Sequence, residues 1–309
     1  MWAAFLTTVF FSLSAVCGQR ATRLLGGTEA NFWRLCVGTL VLALFAHGLG
    51  GGLAGAAFPV FLFSGIIGFG VGDVALYQAL PRLGSRLSIL LVLCVSSPLG
   101  GLVEWVWLGT ALSFAEMLWG GVILAGVALA LSPGRHLHIA SGQWAPGILF
   151  GGVASVCQAL GAVLSRKGFD VARAAGESID GITAAYQRIL GGLAIGAVVL
   201  LVVKRQAIAR MVLGLEAREG SGPAARKAQW RQVGPWVVWN ALAGSVFGVS
   251  CFQWALKTTP TGVVLPIVAI TPLVIIPFSR YVEGERPTRR SLVGGVIAVI
   301  GAAALAMAR

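Results

Sequence analysis

The feature that most constrains this 309-residue chain is an internal repeat: one long stretch occurs twice in similar form. The first copy begins at Gly68 with GFGVGDVALYQAL, continues through SSPLGG and ends in WGGVILAGVALAL. The second copy begins at Gly244 with GSVFGVSCFQWAL, continues through ITPL and ends in LVGGVIAVIGAAALA. A repeat of this length indicates that the chain is built from two similar structural units.

The composition indicates what kind of unit is repeated. Hydrophobic residues make up 57% of the chain and charged residues 11%, whereas a soluble domain carries about 25% charged residues. The apolar runs approach the ~20 residues that a helix needs to cross a bilayer. The sequence therefore predicts an all-α membrane protein with ten transmembrane helices, at roughly 2–18, 32–48, 57–80, 87–108, 115–132, 146–164, 182–203, 234–256, 261–282 and 291–308.

The repeat extends beyond the two best-matched stretches. Phe32-Trp33-Arg34 opens the second predicted helix as Tyr186-Gln187-Arg188 opens the seventh. This divides the chain into a first five-helix repeat at 1–133 and a second at 146–308, with a basic loop inserted at 204–233. Because five is an odd number, the second repeat must enter the membrane from the opposite side, which predicts two inverted repeats. Within the insertion, 209–215 is apolar enough for a short interfacial helix.

The net charge of +12 does not point to nucleic acid, because the basic residues lie mostly in loops, where they contact lipid headgroups. The odd-numbered loops are the more basic, which favours a cytoplasmic position for them and an external position for both termini. The five cysteines lie in predicted helices without a metal-binding spacing. His136 and His138 form a weak HxH signal, for which a solvated loop is the favoured interpretation. We therefore expect no metal and no cofactor.

Several motifs resemble the drug/metabolite transporter superfamily in its ten-helix EamA-type branch. The matching segments are ALPRLGSR and ALKTTPTG at two helix ends, SSPL and ITPL within helices, the LGT and EGE turns, and the glycine-rich fifth and tenth helices. The phrase GDVALYQALPRLGSR resembles one subgroup. The resemblance implies transport of small organic solutes, with export the more common direction.

Two departures from the family pattern stand out. The family's first-half Leu-Gly-Glu turn is Leu108-Gly109-Thr110 here, and only the second half keeps the glutamate, Glu285. Many relatives are thought to hold both termini in the cytoplasm, whereas the loop charges predict the reverse, and the sequence leaves these alternatives open.

Asp73 and Glu104 are the acids predicted inside membrane helices. Such a residue costs ~2.5–3.5 kcal/mol on insertion scales, so a functional role is the default expectation. Both are candidates for proton coupling, and Asp73 shares a helix face with Tyr77, one turn later. The alternatives are that Asp73 hydrogen-bonds a neighbouring helix, and that Glu104 lies at the membrane interface beside tryptophans.

Further polar side chains at matched places in the two halves predict a midplane site for an organic solute. Together with Asp73 and Tyr77, the predicted substrate-binding residues are Gln78, Ser250, Gln253, Trp254, Arg34 and Arg188. Simpler roles compete with this one: Gln253 can join helices, Trp254 can anchor at the interface, and the two arginines can reach to headgroups rather than hold a carboxylate or phosphate.

Pro98 and Pro272 lie at matched positions within the fourth and ninth predicted helices. A proline inside a helix removes a backbone hydrogen bond and bends the helix. Broken helices at equivalent places in two repeats point to a transport pathway, so these prolines are predicted hinges.

The favoured hypothesis is a secondary transporter, with export the expected direction, of small organic metabolites such as amino acids. It would work by alternating access between the inverted repeats of a multi-pass protein in the bacterial inner (plasma) membrane. The partners would be the solute, the lipid bilayer and coupling protons, with no nucleic acid. An intramembrane lipid-modifying enzyme and a channel or scaffold are the alternatives. No GxxxxGK[ST] motif is present, which argues against ATP-driven pumping.

Overall fold

A computed structural model describes residues 2–108, 113–131, 142–212, 223–259, 261–284 and 287–307. Within these ranges all regular secondary structure is helical. Consecutive helical segments combine into ten helices, which we number in chain order. They are α1 (Trp2–Leu25), α2 (Gly27–Gly48), α3 (Phe58–Leu83), α4 (Ser85–Trp107), α5 (Phe114–Leu131), α6 (Trp144–Ala174), α7 (Gly181–Val212), α8 (Pro223–Asn240, Ala241–Gly248 and Val249–Thr258), α9 (Thr261–Val268 and Thr271–Val282) and α10 (Arg289–Met307).

The length and composition of the helices fit a bilayer. In the described part of the chain, eight helices are long and apolar enough to cross a membrane, namely α1 to α4 and α6 to α9. Within α5, Met117–Ala130 is a shorter apolar helix, and α10 has 19 residues. The prediction of an all-α membrane protein is confirmed.

Helices that occupy equivalent places in the two repeats pack against each other in opposite directions. Along the α5–α10 contact, Ile123 lies against Gly301, while Ala130, further along α5, lies against Gly294, which is earlier in α10. The pairs α2–α7 and α4–α9 show the same reversal, in the contacts His47–Tyr186, Leu35–Gly196, Cys94–Ala269 and Gly100–Leu265. Antiparallel counterparts are what an inverted repeat produces.

The remaining contacts interlock the two repeats. Helix α1 packs against α8 and α9, and its counterpart α6 packs against α3 and α4. Likewise α3 contacts α7 while α8 contacts α2. The centre of the molecule is therefore enclosed by helices from both repeats.

The first two helices are longer than the sequence predicted. A loop was expected between residues 18 and 32, but α1 continues to Leu25 and α2 begins at Gly27. Gly26 alone separates them, with a φ of 83° that suits glycine. Arginine, leucine and alanine in this stretch are good helix formers. The first polar residues therefore mark where the apolar run ends, and the helix continues beyond them.

The expectation of a basic loop over 204–233 is wrong in its described parts. Helix α7 continues to Val212, and α8 begins at Pro223, because alanine, arginine, lysine and glutamine favour helix and proline is suited to a helix start. Lys204 near the end of α7 forms an ion pair with Glu29 of α2. The predicted interfacial helix at 209–215 begins within α7, and its remainder lies outside the described residues.

The two prolines that were predicted to act as hinges lie in different local structures. Helix α9 is interrupted between Val268 and Thr271, directly before Pro272. In α4, Pro98 lies within a continuous helical segment, and the irregular turn comes earlier, as a π-helical segment at Leu90–Cys94. The hinge role of both prolines stays a prediction.

Two further π-helical segments lie at equivalent positions in the repeats. They are Ile66–Gly72 in α3 and Ala241–Gly248 in α8. Wide turns of this kind are frequent at functional sites, and both segments face the centre of the molecule.

Candidate functional site

A cavity lies between the two repeats, enclosed by α1 to α4, α6, α7 and α8. The empty space within it, including the part open to solvent, is about 820 Å³. Its charged and polar lining residues are Ser14, Arg34, Asp73, Tyr77, Gln158 and Arg188. Large apolar residues on the wall include Phe11, Leu76, Leu80, Ile89, Val92 and Phe252. A cavity with a charged group and an apolar wall suits a small organic solute.

The ion pair between Arg34 of α2 and Asp73 of α3 is buried in this wall. Their side chains are 6% and 18% exposed. Arg34 also donates to Asn31 Oδ1 at 3.0 Å, and its guanidinium lies 5.0 Å from the centre of the Tyr77 ring. The interpretation that Arg34 reaches to headgroups is therefore wrong, and Asp73 bonds a neighbouring helix while it also lines the cavity.

Arg188 of α7 is equally buried but has no such partner. It is 4% exposed, and its guanidinium lies 5.3 Å from the centre of the Phe69 ring. Within the described ranges it forms no hydrogen bond or ion pair, and its Nε is buried without a partner. Asp73 attracts it electrostatically from a distance. Arg188 does not reach to headgroups either.

The two arginines are placed by the pseudosymmetry of the repeats. Arg188 lies against Gly68 of α3, where a Cβ would come within 2.9 Å of Nη2. Arg34 lies near the equivalent Gly244 of α8, where a Cβ would be 3.6 Å from Nη1. Each guanidinium thus rests beside a glycine of the other repeat. The symmetry fails at Asp73, whose counterpart is Val249.

Tyr77 is held by a hydrogen-bond chain across three helices. Ser14 of α1 donates to Asn240 Oδ1 at 2.8 Å, and Asn240 Nδ2 of α8 donates to the Tyr77 hydroxyl at 2.5 Å. Tyr77 is 3% exposed. The chain connects α1 and α3 of the first repeat to α8 of the second.

Other predicted substrate residues lie away from this cavity. Gln78 accepts a hydrogen bond from Arg82 at 3.0 Å. Ser250 and Gln253 lie on α8 outside the lining, and Gln253 is completely buried with no partner in the described structure. Trp254 is 62% exposed, as an interface anchor would be. The side chain of Glu104 lies outside the described residues.

Several lining residues were not predicted from the sequence. Gln158 in the lining, and Asn240, which donates a hydrogen bond to the lining residue Tyr77, are polar residues within apolar helices, a signal that the sequence does contain. Phe69 lies under both guanidinium groups, but a phenylalanine in an apolar run carries no distinguishing signal. Phe11 and Phe252 are hidden among the core residues for the same reason.

The structure brings together no metal-binding group in its described ranges, where no three His, Cys, Asp or Glu residues cluster. His136 and His138 fall outside those ranges. The described chemistry of the cavity is therefore that of two arginines, one aspartate and neutral polar groups.

Comparison with known proteins identifies the fold and the family. No curated protein sequence matches the chain. A solved structure titled only "Crystal structure of protein" superposes with a TM-score of 0.62 over 99% of this chain and 96% of its own, at 18% identity, which shows a shared fold. The model of the EamA-like transporter family, a two-repeat helical membrane fold, matches residues 1–132 and 145–307. This confirms the resemblance to the drug/metabolite transporter superfamily, and the chain belongs to the EamA-like transporter family.

Proposed function

We propose that this multi-pass membrane protein is a secondary transporter that exports small organic metabolites, such as amino acids, by alternating access. The observation that carries this proposal is the charged cavity enclosed by helices of both repeats. A site shared by two inverted repeats can be exposed to either side when one repeat rocks against the other. We place the protein in the inner membrane of a bacterium.

The moving units in this proposal are the two repeats, 1–133 and 146–308. Three of their counterpart helix pairs meet as antiparallel contacts, so a rotation about the pseudosymmetry axis moves each pair in a complementary way. The interruption of α9 before Pro272 supplies one place to bend, and Pro98 supplies its proposed counterpart.

Asp73 is the acid among the described lining residues and is our candidate for proton coupling. In the present arrangement Arg34 neutralises it. If solute binding or rocking separates the pair, the carboxylate loses its counter-ion in a low-dielectric site and can take up a proton. Glu104 is a second candidate for coupling.

The experiment is solute counterflow with purified protein in proteoliposomes. The panel comprises amino acids, organic acids, sugars, nucleosides and cationic drugs, each with and without a pH gradient. Wild type is compared with Asp73→Asn. We expect saturable flux of one solute class, stimulated by the gradient, with the stimulation lost in Asp73→Asn.

Asp170→Asn is the matched control, because Asp170 is an exposed acid that pairs with Arg173 of its own helix. It should transport as wild type does. Flux that the pH gradient stimulates as strongly in Asp73→Asn as in wild type, or that it stimulates in neither, would contradict the coupling role and keep the transporter. Absence of flux for every class, in folded protein, would contradict the transport proposal.

A further inference from the structure

We propose that the cavity binds a solute through its carboxylate group, with Arg188 as the anchor. This inference rests on the proposed transport function and names the chemical class of the solute. It begins from charge: the charged residues of the described lining are Arg34, Asp73 and Arg188. One negative and two positive groups leave the cavity with a formal charge of +1.

The excess charge is located at Arg188. Arg34 has a carboxylate and an amide oxygen as partners, whereas no hydrogen bond or ion pair reaches Arg188 from the described structure. A buried cation without a partner is costly, and a guanidinium presents two parallel N–H donors that match a carboxylate. The missing partner is supplied by the solute.

The break in pseudosymmetry explains why the partner is missing. Asp73 follows Gly68 by the same separation as Val249 follows Gly244, and both residues line the cavity. The position equivalent to the one that neutralises Arg34 is therefore held by valine beside α7. The first repeat supplies a carboxylate, Asp73, as the partner of Arg34. The second repeat has no carboxylate at the equivalent position, and we assign that role to the carboxylate of the solute.

The rest of the lining defines the body of the solute. Beyond the charged group the described wall is largely apolar, with Phe11, Leu76 and Phe252 among its residues. Apolar surface favours a hydrophobic body over a polyhydroxylated one. The expected solute carries one carboxylate on an apolar skeleton, as organic monocarboxylates and apolar amino acids do.

The test is binding to the purified full-length protein of compounds that share a skeleton and differ in head group. The aromatic series is 3-phenylpropanoate, phenylalanine, 3-phenylpropanamide and 2-phenylethylamine. The aliphatic series is 4-methylpentanoate, leucine, 4-methylpentanamide and 3-methylbutylamine. In at least one series we expect the carboxylate or the amino acid to bind about tenfold or more tightly than the amide and the amine. The first two compounds of each series distinguish a monocarboxylate from a zwitterion.

Two variants test the anchor. Arg188→Gln removes the cation, and Val249→Asp supplies an internal carboxylate at the pseudosymmetric position. Both should weaken binding of the carboxylate about tenfold or more and leave binding of the amide unchanged. Arg173→Gln, an exposed arginine on the same protein, is the control and should bind as wild type does.

The proposal is overturned if no carboxylate of either series binds wild type at millimolar concentration, if amide and amine bind as tightly as the carboxylates, or if both folded variants keep the carboxylate affinity. If neither variant folds, the head-group comparison on wild type still decides. Carboxylate binding without counterflow would contradict the transport function but support the carboxylate site. Counterflow of amines or amides without carboxylate preference would support the transport function but contradict the carboxylate site.

Discussion

At the scale of single residues, the site consists of charges that a bilayer disfavours. Asp73, Arg34, Arg188 and Tyr77 could be selected from the sequence as candidates, because ionisable and polar groups are costly in apolar membrane helices. Their pairing was not predictable, since the rotation of α2 against α3 depends on packing across the whole interface. For the same reason, Gln253 satisfied every sequence criterion and yet lies outside the cavity.

The buried pair makes a prediction about stability. Arg34→Met should lower the free energy of unfolding by about 3–5 kcal/mol, because it leaves the Asp73 carboxylate buried without its partner. Adding Asp73→Asn to that variant should recover most of the loss. Denaturant unfolding of the detergent-solubilised protein measures both.

The matched control is the exposed pair Arg173–Asp170, with side chains 62% and 43% exposed. Arg173→Met should change the free energy of unfolding by less than about 1 kcal/mol. A double variant of the buried pair no more stable than Arg34→Met alone would show that the loss comes from packing and not from charge.

At the scale of helices, close contact between α3 and α7 depends on glycines at the helix crossing. A Cβ at Gly65 would overlap the backbone carbonyl of Arg188, and one at Gly191 would overlap that of Leu62. Small residues at such crossings allow helices to approach closely. This contact carries Arg188 to the cavity.

Gly65→Ala should therefore destabilise the protein by roughly 1–3 kcal/mol. Gly152→Ala on α6 is the matched control, because no atom beyond the neighbouring backbone of its own helix lies within 4 Å of its added Cβ in the described structure. This substitution should be neutral or stabilising by up to about 1 kcal/mol. Thermal and denaturant unfolding in detergent compare the two. Equal stability of the two variants would mean that α3 and α7 can separate without loss.

The start of α7 makes a separate, pH-dependent prediction. Asp180 Oδ1 accepts from the N–H groups of Ile182 at 2.8 Å and Thr183 at 2.9 Å, and Oδ2 accepts from the Thr183 hydroxyl at 2.6 Å. Partial burial raises the pKa of Asp180, but these hydrogen bonds outweigh it and hold the pKa below its ordinary 3.8. Asp180→Ala should cost about 1 kcal/mol at neutral pH.

The sign of the pH dependence follows from the lowered pKa. The stabilisation is fully present above the unfolded-state pKa and is lost as pH falls through the folded-state value. The difference between wild type and Asp180→Ala should thus shrink below about pH 4, as followed by denaturant unfolding across pH. A difference between wild type and Asp180→Ala that persists to the lowest pH would exclude a carboxylate cap.

At the scale of the whole molecule, the repeat was the informative signal. With its odd helix count it predicted the inversion that the antiparallel counterparts display, while the composition and the apolar runs predicted the helical membrane fold. The ends of α1, α2, α6, α7 and α8 were misjudged, α6 continuing to Ala174 beyond the predicted 164. Hydropathy marks where the bilayer ends, and helices that contain charged residues continue beyond it. The division into repeats at 133 and 146 stays a prediction.

One seam between the repeats must open if the protein works by alternating access. We define it as residues 47–56, at the end of α2 and in the loop after it, against 177–187, at the start of α7. The seam is held by hydrogen bonds from the Ala56 N–H to Glu177, from the Gly51 N–H to Thr183, and from Gln187 to two carbonyls of the loop. Since each bond joins one repeat to the other, rocking at this end has to break them.

A disulfide across the seam tests this requirement. A Cβ at Gly51 would lie 3.8 Å from Thr183 Cγ2, so side chains at these two positions would be in contact, as the two cysteines of a disulfide must be. In a background without the five native cysteines, oxidised Gly51→Cys/Thr183→Cys should lose counterflow more than about tenfold, and reduction should restore it. Each single-cysteine variant, treated identically, should be unaffected by oxidation. Full transport by the cross-linked protein would show that this end stays closed throughout the cycle, and the rocking of inverted repeats would then have to be abandoned as the mechanism.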